Sequence, residues 1–261
     1  MTVHFFKYQG VGNDFIILDN RDDRYNGLGK EQILLLCNRH FGVGADGLMM
    51  LNDHPEAGFE MKYFNSDGKE GSMCGNGGRC IVAFAHRLGL TQDKVKFMAY
   101  DGIHEAVLTK DNWVELKMSD VKGVEFGDDF AILNTGSPHY VKYVEHLGDV
   151  DVVKEGRGIR NSARFKKDGI NVNFVEYGTN HLLVRTYERG VEDETKACGT
   201  GVTAAALVVS GNQNRSYKIP VATNGGELEV RFDKINQKQY ENIWLCGPAE
   251  FVFEADIELN K

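Results

Sequence analysis

The 261-residue chain carries 30 glycines and only 4 prolines, where averages of roughly 7% and 5% would give fewer glycines and more prolines; this excludes a linker or low-complexity chain and asks where the glycine is placed. With 42% apolar and 26% charged residues it is a folded protein able to bury a large core, and its net charge of −8 disfavours a nucleic-acid partner, which needs clustered Lys and Arg. Five cysteines (Cys37, Cys74, Cys80, Cys198 and Cys246) with no CxxC or HExxH spacing fit neither a disulfide scaffold nor a metal site. No apolar run approaches the roughly 18 residues of a membrane helix. No targeting segment is visible before Gly10, so the expected compartment is the cytosol.

In chain order, the run from Lys30 to Phe41, with Ile33, Leu34, Leu35 and Leu36, reads as a helix that buries Cys37. Phe59 to Phe64 alternates like a half-buried strand. A Cys74-Gly75-Asn76-Gly77 turn then leads into an apolar helix from Cys80 to Gly89, ended by glycine. Asp101-Gly102 reads as a hairpin turn, and a later strand holds Trp113. Residues 118–128, rich in Gly, Asp and Lys, read as a boundary. The basic cluster Arg164, Lys166 and Lys167 reads as a solvated loop. Beyond it the pattern recurs. Leu182 to Tyr187 reads as a strand, Cys198-Gly199-Thr200-Gly201 as the turn, and Val202 to Gly211 as a helix. Asn224-Gly225-Gly226 reads as the hairpin, and Trp244 lies in a later strand.

The two motif cysteines lie 124 positions apart, and the same offset carries Phe6 onto Phe130, Gly12 onto Gly136, Tyr63 onto Tyr187, Gly102 onto Gly226 and Glu105 onto Glu229. A period this long is a tandem duplication of a domain, not a solenoid repeat. The expected fold is α+β: two pseudo-symmetric duplicated domains, each a mixed or antiparallel sheet wrapped around a central helix, with the active site in the cleft between them. The expected spans are 1–118, 119–249, and a terminal strand at 250–261 packing back on the first half.

A cysteine at a helix start is chemically useful. The positive end of the helix dipole favours the thiolate, and free N–H groups in the first turn can hold a carboxylate. One such motif reads as a tight turn that happens to contain Cys. Two at equivalent positions suit inversion of a stereocentre, in which one base removes the α-proton and an acid returns a proton on the other face. The amides of Gly75, Asn76, Gly199 and Thr200 then hold the charge that moves onto the substrate carboxylate, as in an oxyanion hole. No cofactor is called for.

Seven stretches together resemble the diaminopimelate epimerases over essentially the whole chain. They are Gly12-Asn13-Asp14-Phe15, Phe41 to Gly47, Phe64 to Gly68, Met73 to Cys80, Gly136-Ser137-Pro138-His139, Tyr187 to Gly190 and Ala197 to Gly201. The most discriminating is Cys-Gly-Asn-Gly-Gly-Arg-Cys. The resemblance implies an isomerase that converts LL-2,6-diaminopimelate to the meso form without a cofactor, serving lysine and peptidoglycan synthesis, as a homodimer with a small-molecule substrate. It implies Cys74 and Cys198 as the acid/base thiols and His139 and Glu188 as groups that tune them. It implies substrate contacts from Asn13, Asn65, Gly75, Asn76, Asn171, Glu188, Arg189, Gly199 and Thr200. These types suit a ligand that is an amino acid at both ends, with Arg189 for the distal carboxylate and Glu188 for an ammonium.

Gly47 stands where some members carry a substrate-contacting Gln, and Ser137 where many carry Asn, so a contact from the shorter serine would run through water. Two other readings remain. A proline racemase or hydroxyproline epimerase is similar in fold and paired thiols, but tends to carry His where this chain has Asn76. A non-catalytic amino-acid or nucleotide binder would not explain a cysteine at the same register in both loops.

Overall fold

The computed structural model describes residues 1–71, 73–109 and 113–259. The chain divides into two compact units, Met1–Leu116 with Pro248–Lys261, and Lys117–Gly247. Both are α+β, and each repeats one pattern of strand pairing.

In the first unit, β1 (Thr2–Gly10) runs antiparallel to β2 (Asn13–Asp19), which runs parallel to β3 (Gly47–Asn52). Then β3 pairs antiparallel with β4 (Glu60–Asn65), β4 parallel with β5 (Lys94–Ala99), β5 antiparallel with β6 (Gly102–Leu108), and β6 antiparallel with β7 (Trp113–Lys117). The last strand, Glu250–Glu258, lies antiparallel along β1. Helix α1 (Lys30–Cys37) lies between β2 and β3 in the chain, and α2 (Gly75–Arg87) between β4 and β5. Ile16 and Leu18 of β2 join Leu48 and Met50 of β3 and Ile33 and Leu36 of α1 in one core. Strand alternation puts Phe15 and Ile17, both fully buried, on the opposite face, where α2 packs.

The second unit opens with two short strands, β8 (Val121–Lys122) and β9 (Glu125–Phe126), and then repeats the plan. Here β10 (Phe130–Asn134) is antiparallel to β11 (Pro138–Tyr143), and β11 is parallel to β12 (Asn171–Tyr177). Strand β13 (Leu182–Glu188) is antiparallel to β12. A short strand, β14 (Asp193–Thr195), pairs with β13. Parallel to β13 runs β15 (Ser216–Thr223), followed antiparallel by β16 (Gly226–Asn236) and β17 (Gln239–Pro248). Helix α3 (Val152–Arg160) lies between β11 and β12 in the chain, and α4 (Gly199–Val209) between β14 and β15. The register repeats as well: Phe15 stands opposite Gly47, and His139 opposite Asn171, each 124 positions on. No helix among the described residues is long and apolar enough to cross a membrane.

Three local readings change. The helix expected from Lys30 to Phe41 stops at Cys37, because the Asn38 side chain accepts the N–H groups of His40 and Phe41 at 2.8 and 2.9 Å and folds the chain into a turn. Gly89 ends α2 at φ 72, as a glycine stop should. Gly211 does not do this for α4: Ser210 caps it in an extended conformation, and the buried Lys234 ammonium takes the Gly211 carbonyl at 2.9 Å. Helix α3 was not legible in the sequence. Asp151 starts it by accepting the Lys154 N–H at 3.0 Å.

Two glycines of α3 make a paired test. A Cβ on Gly156 would stand 2.4 Å from Tyr187 Cβ, whereas one on Gly158 meets nothing within 4 Å. Both sites gain about 0.5–1 kcal/mol of helix propensity on change to Ala. At Gly156 overpacking of about 1–3 kcal/mol outweighs that gain. Urea denaturation should therefore show Gly158→Ala stabilised and Gly156→Ala destabilised.

Candidate active site

Each buried central helix begins at a cysteine. Cys74 is the N-cap of α2 (φ −99°, ψ 130°) and Cys198 the N-cap of α4 (φ −113°, ψ 111°), and neither side chain caps its helix. The contrast with Asp151 of α3 is physical. A carboxylate there satisfies a first-turn N–H, while a thiol in the same role leaves the first-turn donors for another acceptor.

In the first unit the cysteine sits among amides. Asn13 Oδ1 accepts from Cys74 Sγ at 3.7 Å and from Asn76 Nδ2 at 3.2 Å, and Asn13 Nδ2 donates to Asp46 Oδ2 at 2.7 Å. Asp46 therefore fixes which end of the Asn13 amide faces the thiol. Asp46 is itself held by Arg39 at 2.7 Å. Arg39 also grips Asp14 with two bonds, and Lys7 approaches Asp14 at 2.7 Å. Burial opposes the Asp14 charge, but the bonds from Arg39 and Lys7 win and hold its pKa at about 2. Below the motif, Arg79 is fully buried and donates to Asn76 Oδ1 at 3.0 Å and to Gly75 O at 3.4 Å. Asn65 is exposed at the end of β4.

In the second unit Cys198 Sγ lies 3.5 Å from Thr200 Oγ1, and the Thr200 carbonyl accepts from Thr135 Oγ1 at 2.8 Å. Asn171, Arg189 and Ser137 form one cluster. Asn171 Oδ1 accepts the Arg189 N–H at 2.9 Å, Asn171 Nδ2 donates to Ser137 Oγ at 2.9 Å, and Arg189 reaches the same oxygen at 3.4 Å. Ser137 thus bonds directly to two of the expected substrate-binding residues. Glu188 is half-buried at the end of β13, beside Arg189 in the chain. His139 is fully buried on β11, with Asn173 Nδ2 3.1 Å from its Nδ1. Burial first, and the Arg189 charge second, push the His139 pKa down to about 3, so the ring is neutral.

The sequence assigned no role to Asp46, Arg79 or Asn173. Arg79 carried a signal, being the one charged residue in the first two turns of an otherwise apolar helix. Asp46 lay inside a quoted motif but reads as a turn residue. Asn173 sits between apolar residues of a buried strand.

The fold defines a class first. A Bacillus anthracis protein of the PhzF phenazine-biosynthesis family superposes with a TM-score of 0.79 at 15% identity, covering 99% of this chain and 100% of that one. A hydroxyproline epimerase from Agrobacterium vitis does so with a TM-score of 0.72 at 13% identity, covering 100% and 93%. The chain has this duplicated architecture of a sheet around a helix. The diaminopimelate epimerase family profile matches residues 5–124 and again 131–252. Proteins named diaminopimelate epimerase from Flavobacterium psychrophilum (46% identical, 97% of this chain and 99% of that protein) and Aquifex aeolicus (40%, 97% and 97%) align end to end. The chain belongs to the diaminopimelate epimerase family.

A neutral buried histidine has a stability signature. The unfolded ring takes its proton near pH 6.5, while the folded ring resists it down to about pH 3. The unfolded state therefore binds more protons in that window, and stability falls as pH drops through it. Between pH 6.5 and 5 this amounts to about 2 kcal/mol. Urea denaturation at the two pH values should show that loss in the natural chain and a smaller one in His139→Gln.

Proposed function

We propose that the chain epimerises LL-2,6-diaminopimelate to the meso isomer through Cys74 and Cys198. The observation that carries this reading is the recurrence, at one offset in a chain of this family, of a cysteine that starts a buried helix and leaves its first turn uncapped.

Inversion at Cα requires one sulfur for each face. One cysteine, as thiolate, takes the α-proton. The other, as thiol, delivers its own proton to the opposite face, so the enzyme ends with the two protonation states exchanged. Between these events the electron pair left on Cα delocalises into the adjacent carboxylate. The N–H groups of Gly75, Asn76, Gly199 and Thr200 receive that charge, stabilised by the positive ends of their helices. Asn13 and Asn76 orient the substrate beside Cys74, with Asn65 as a further contact. At the distal end, Arg189 clamps the carboxylate with Asn171, Ser137 holds these two side chains together, and Glu188 balances an ammonium. His139 and Glu188 adjust the thiols. The chemistry uses protein groups alone, and the reading places the enzyme in the cytoplasm as a homodimer, supplying lysine and peptidoglycan synthesis.

The test is isotope exchange. Reduced protein incubated with LL-2,6-diaminopimelate in deuterated water should wash deuterium into Cα as the meso isomer accumulates, followed by NMR. Cys74→Ala and Cys198→Ala should each lower the rate on the order of 10²–10⁴-fold, the scale of a lost general acid or base. Cys37→Ala, in the α1 core, should leave it intact. Turnover of proline or hydroxyproline in place of diaminopimelate would overturn the reading.

A further inference from the structure

The repeat that makes the two units alike also shows where they were made different. Strand alternation puts His139 and Asn173 on the face of the second sheet that α4 covers, since Val172 and Phe174 belong to the opposite core with α3. Subtracting 124 gives Phe15 and Met49, both fully buried in the first unit. The same register thus packs an apolar pair in one unit and a polar pair in the other. The fold does not need the polar pair, and burying polar groups carries a penalty that a Phe and a Met avoid.

The Asn173 amide is fully committed. A main-chain carbonyl can only accept, so the atom 3.1 Å from Tyr140 O must be the NH2 group. Its second hydrogen points to His139 Nδ1 at 3.1 Å, and its oxygen accepts from Thr186 Oγ1 at 3.0 Å. A flip would set the Asn173 oxygen against the Tyr140 carbonyl, which can only accept, so that bond fixes the amide. His139 Nδ1 must then be the bare, accepting nitrogen, and in a neutral ring the proton sits on Nε2. That Nε2 is buried and has no hydrogen-bond partner among the described residues. A buried orphan donor carries a desolvation cost that the Phe of the other unit does not incur. The amide is also tied to the cysteine helix: a Cβ on Gly201, in the first turn of α4, would stand 2.2 Å from Asn173 Oδ1.

We infer that Asn173 is a positioning residue that locks His139 in the Nε2–H tautomer, making this buried imidazole a hydrogen-bond donor and not a proton acceptor. A donor held there favours a negative partner, whether a thiolate or a substrate oxygen, while a neutral ring adds no competing charge. The functional half of the inference rests on the two-thiol reading above; the tautomer does not.

Long-range proton–nitrogen NMR of protein carrying nitrogen-15 histidine reads the tautomer directly. His139 should show an unprotonated Nδ1 and a protonated Nε2, unchanged from pH 5 to 9. Asn173→Asp keeps the size but presents only acceptors. It should move the proton to Nδ1, raise the ring pKa into the pH 5–8 range, and lower kcat on the order of 10–100-fold with a new inflection in its pH profile and little change in KM. Gly201→Ala, which pushes the amide aside, should loosen the tautomer in the same spectra. A protonated Nδ1 in the natural protein, or an unchanged His139 spectrum in Asn173→Asp, would overturn the inference. The first of these needs no variant to fold. If the spectra behave as stated while Cys74→Ala or Cys198→Ala retains full exchange, the two-thiol reading fails and the tautomer assignment stands.

Discussion

Everything in this molecule turns on a helix start that is left unfinished. A helix leaves its first N–H groups without internal partners, and most proteins satisfy them with a Ser, Asp or Asn side chain. This chain does so at α3, with Asp151. At α2 and α4, enclosed by their own sheets, it places cysteines that cap nothing. The cost is tolerable because the rest of each helix is buried: Cys80, Ile81, Val82, Phe84 and Ala85 in one, Val202, Ala204, Ala205, Ala206 and Leu207 in the other. Apolar burial at about 25 cal/mol per Å² holds the helix in place without the cap. In the proposed reading, function is thus separated from folding along the helix axis, with the uncapped first turn left to a ligand and the remainder to the core.

Duplication supplies two such starts, and divergence gives them different surroundings. The position of Asn65 in the first unit is taken by Arg189 in the second, Gly47 by Asn171, Phe15 by His139 and Met49 by Asn173. The backbone pairing at these sites is conserved in kind, with parallel β2–β3 and β11–β12 holding the same register. Side chains could therefore change without disturbing the ladder. A twofold plan suits the reacting carbon, which needs the same chemistry on two faces. The rest of the substrate has one distal end, and the Ser137, Asn171 and Arg189 cluster has no polar equivalent at Gly47 in the first unit.

Much of this was legible in the sequence, for stated reasons. Strands β4 and β13 announced themselves by alternation, the hairpins by Asp101-Gly102 and Asn224-Gly225-Gly226, and the cysteine helices by glycine followed by an apolar run. Helix α3 was hidden because Val-Val-Lys-Glu-Gly-Arg-Gly-Ile-Arg contains two glycines and four charges, a composition that propensity reads as loop. Packing against Tyr187 and its neighbours, with the Asp151 cap, makes it a helix. The duplication could have revealed it, since α1 shifted by 124 falls on 154–161. The proposed site divides the same way. The residues assigned to the ligand lie in short motifs, whereas Asp46 and Asn173 orient another side chain, a role that depends on contacts 33 and 34 positions away in sequence.

Those two orienting residues point to a common principle. In the first unit a charged network of Lys7, Asp14, Arg39 and Asp46 ends on the Asn13 amide and turns its oxygen toward Cys74. In the second, a neutral network of Tyr140, Thr186 and Asn173 ends on His139. Each decides whether the group at its end donates or accepts: Asp46 takes the Asn13 NH2 group, so the Asn13 oxygen faces Cys74, and the Tyr140 carbonyl takes that of Asn173, so the same NH2 group faces His139. The difference in charge follows from depth. Asp14 and Arg39 keep contact with solvent, where an ion pair is affordable, while Asn173 and His139 have none, so only neutral partners can fix the ring there without an uncompensated charge. Burial thereby selects a neutral amide as the partner for His139.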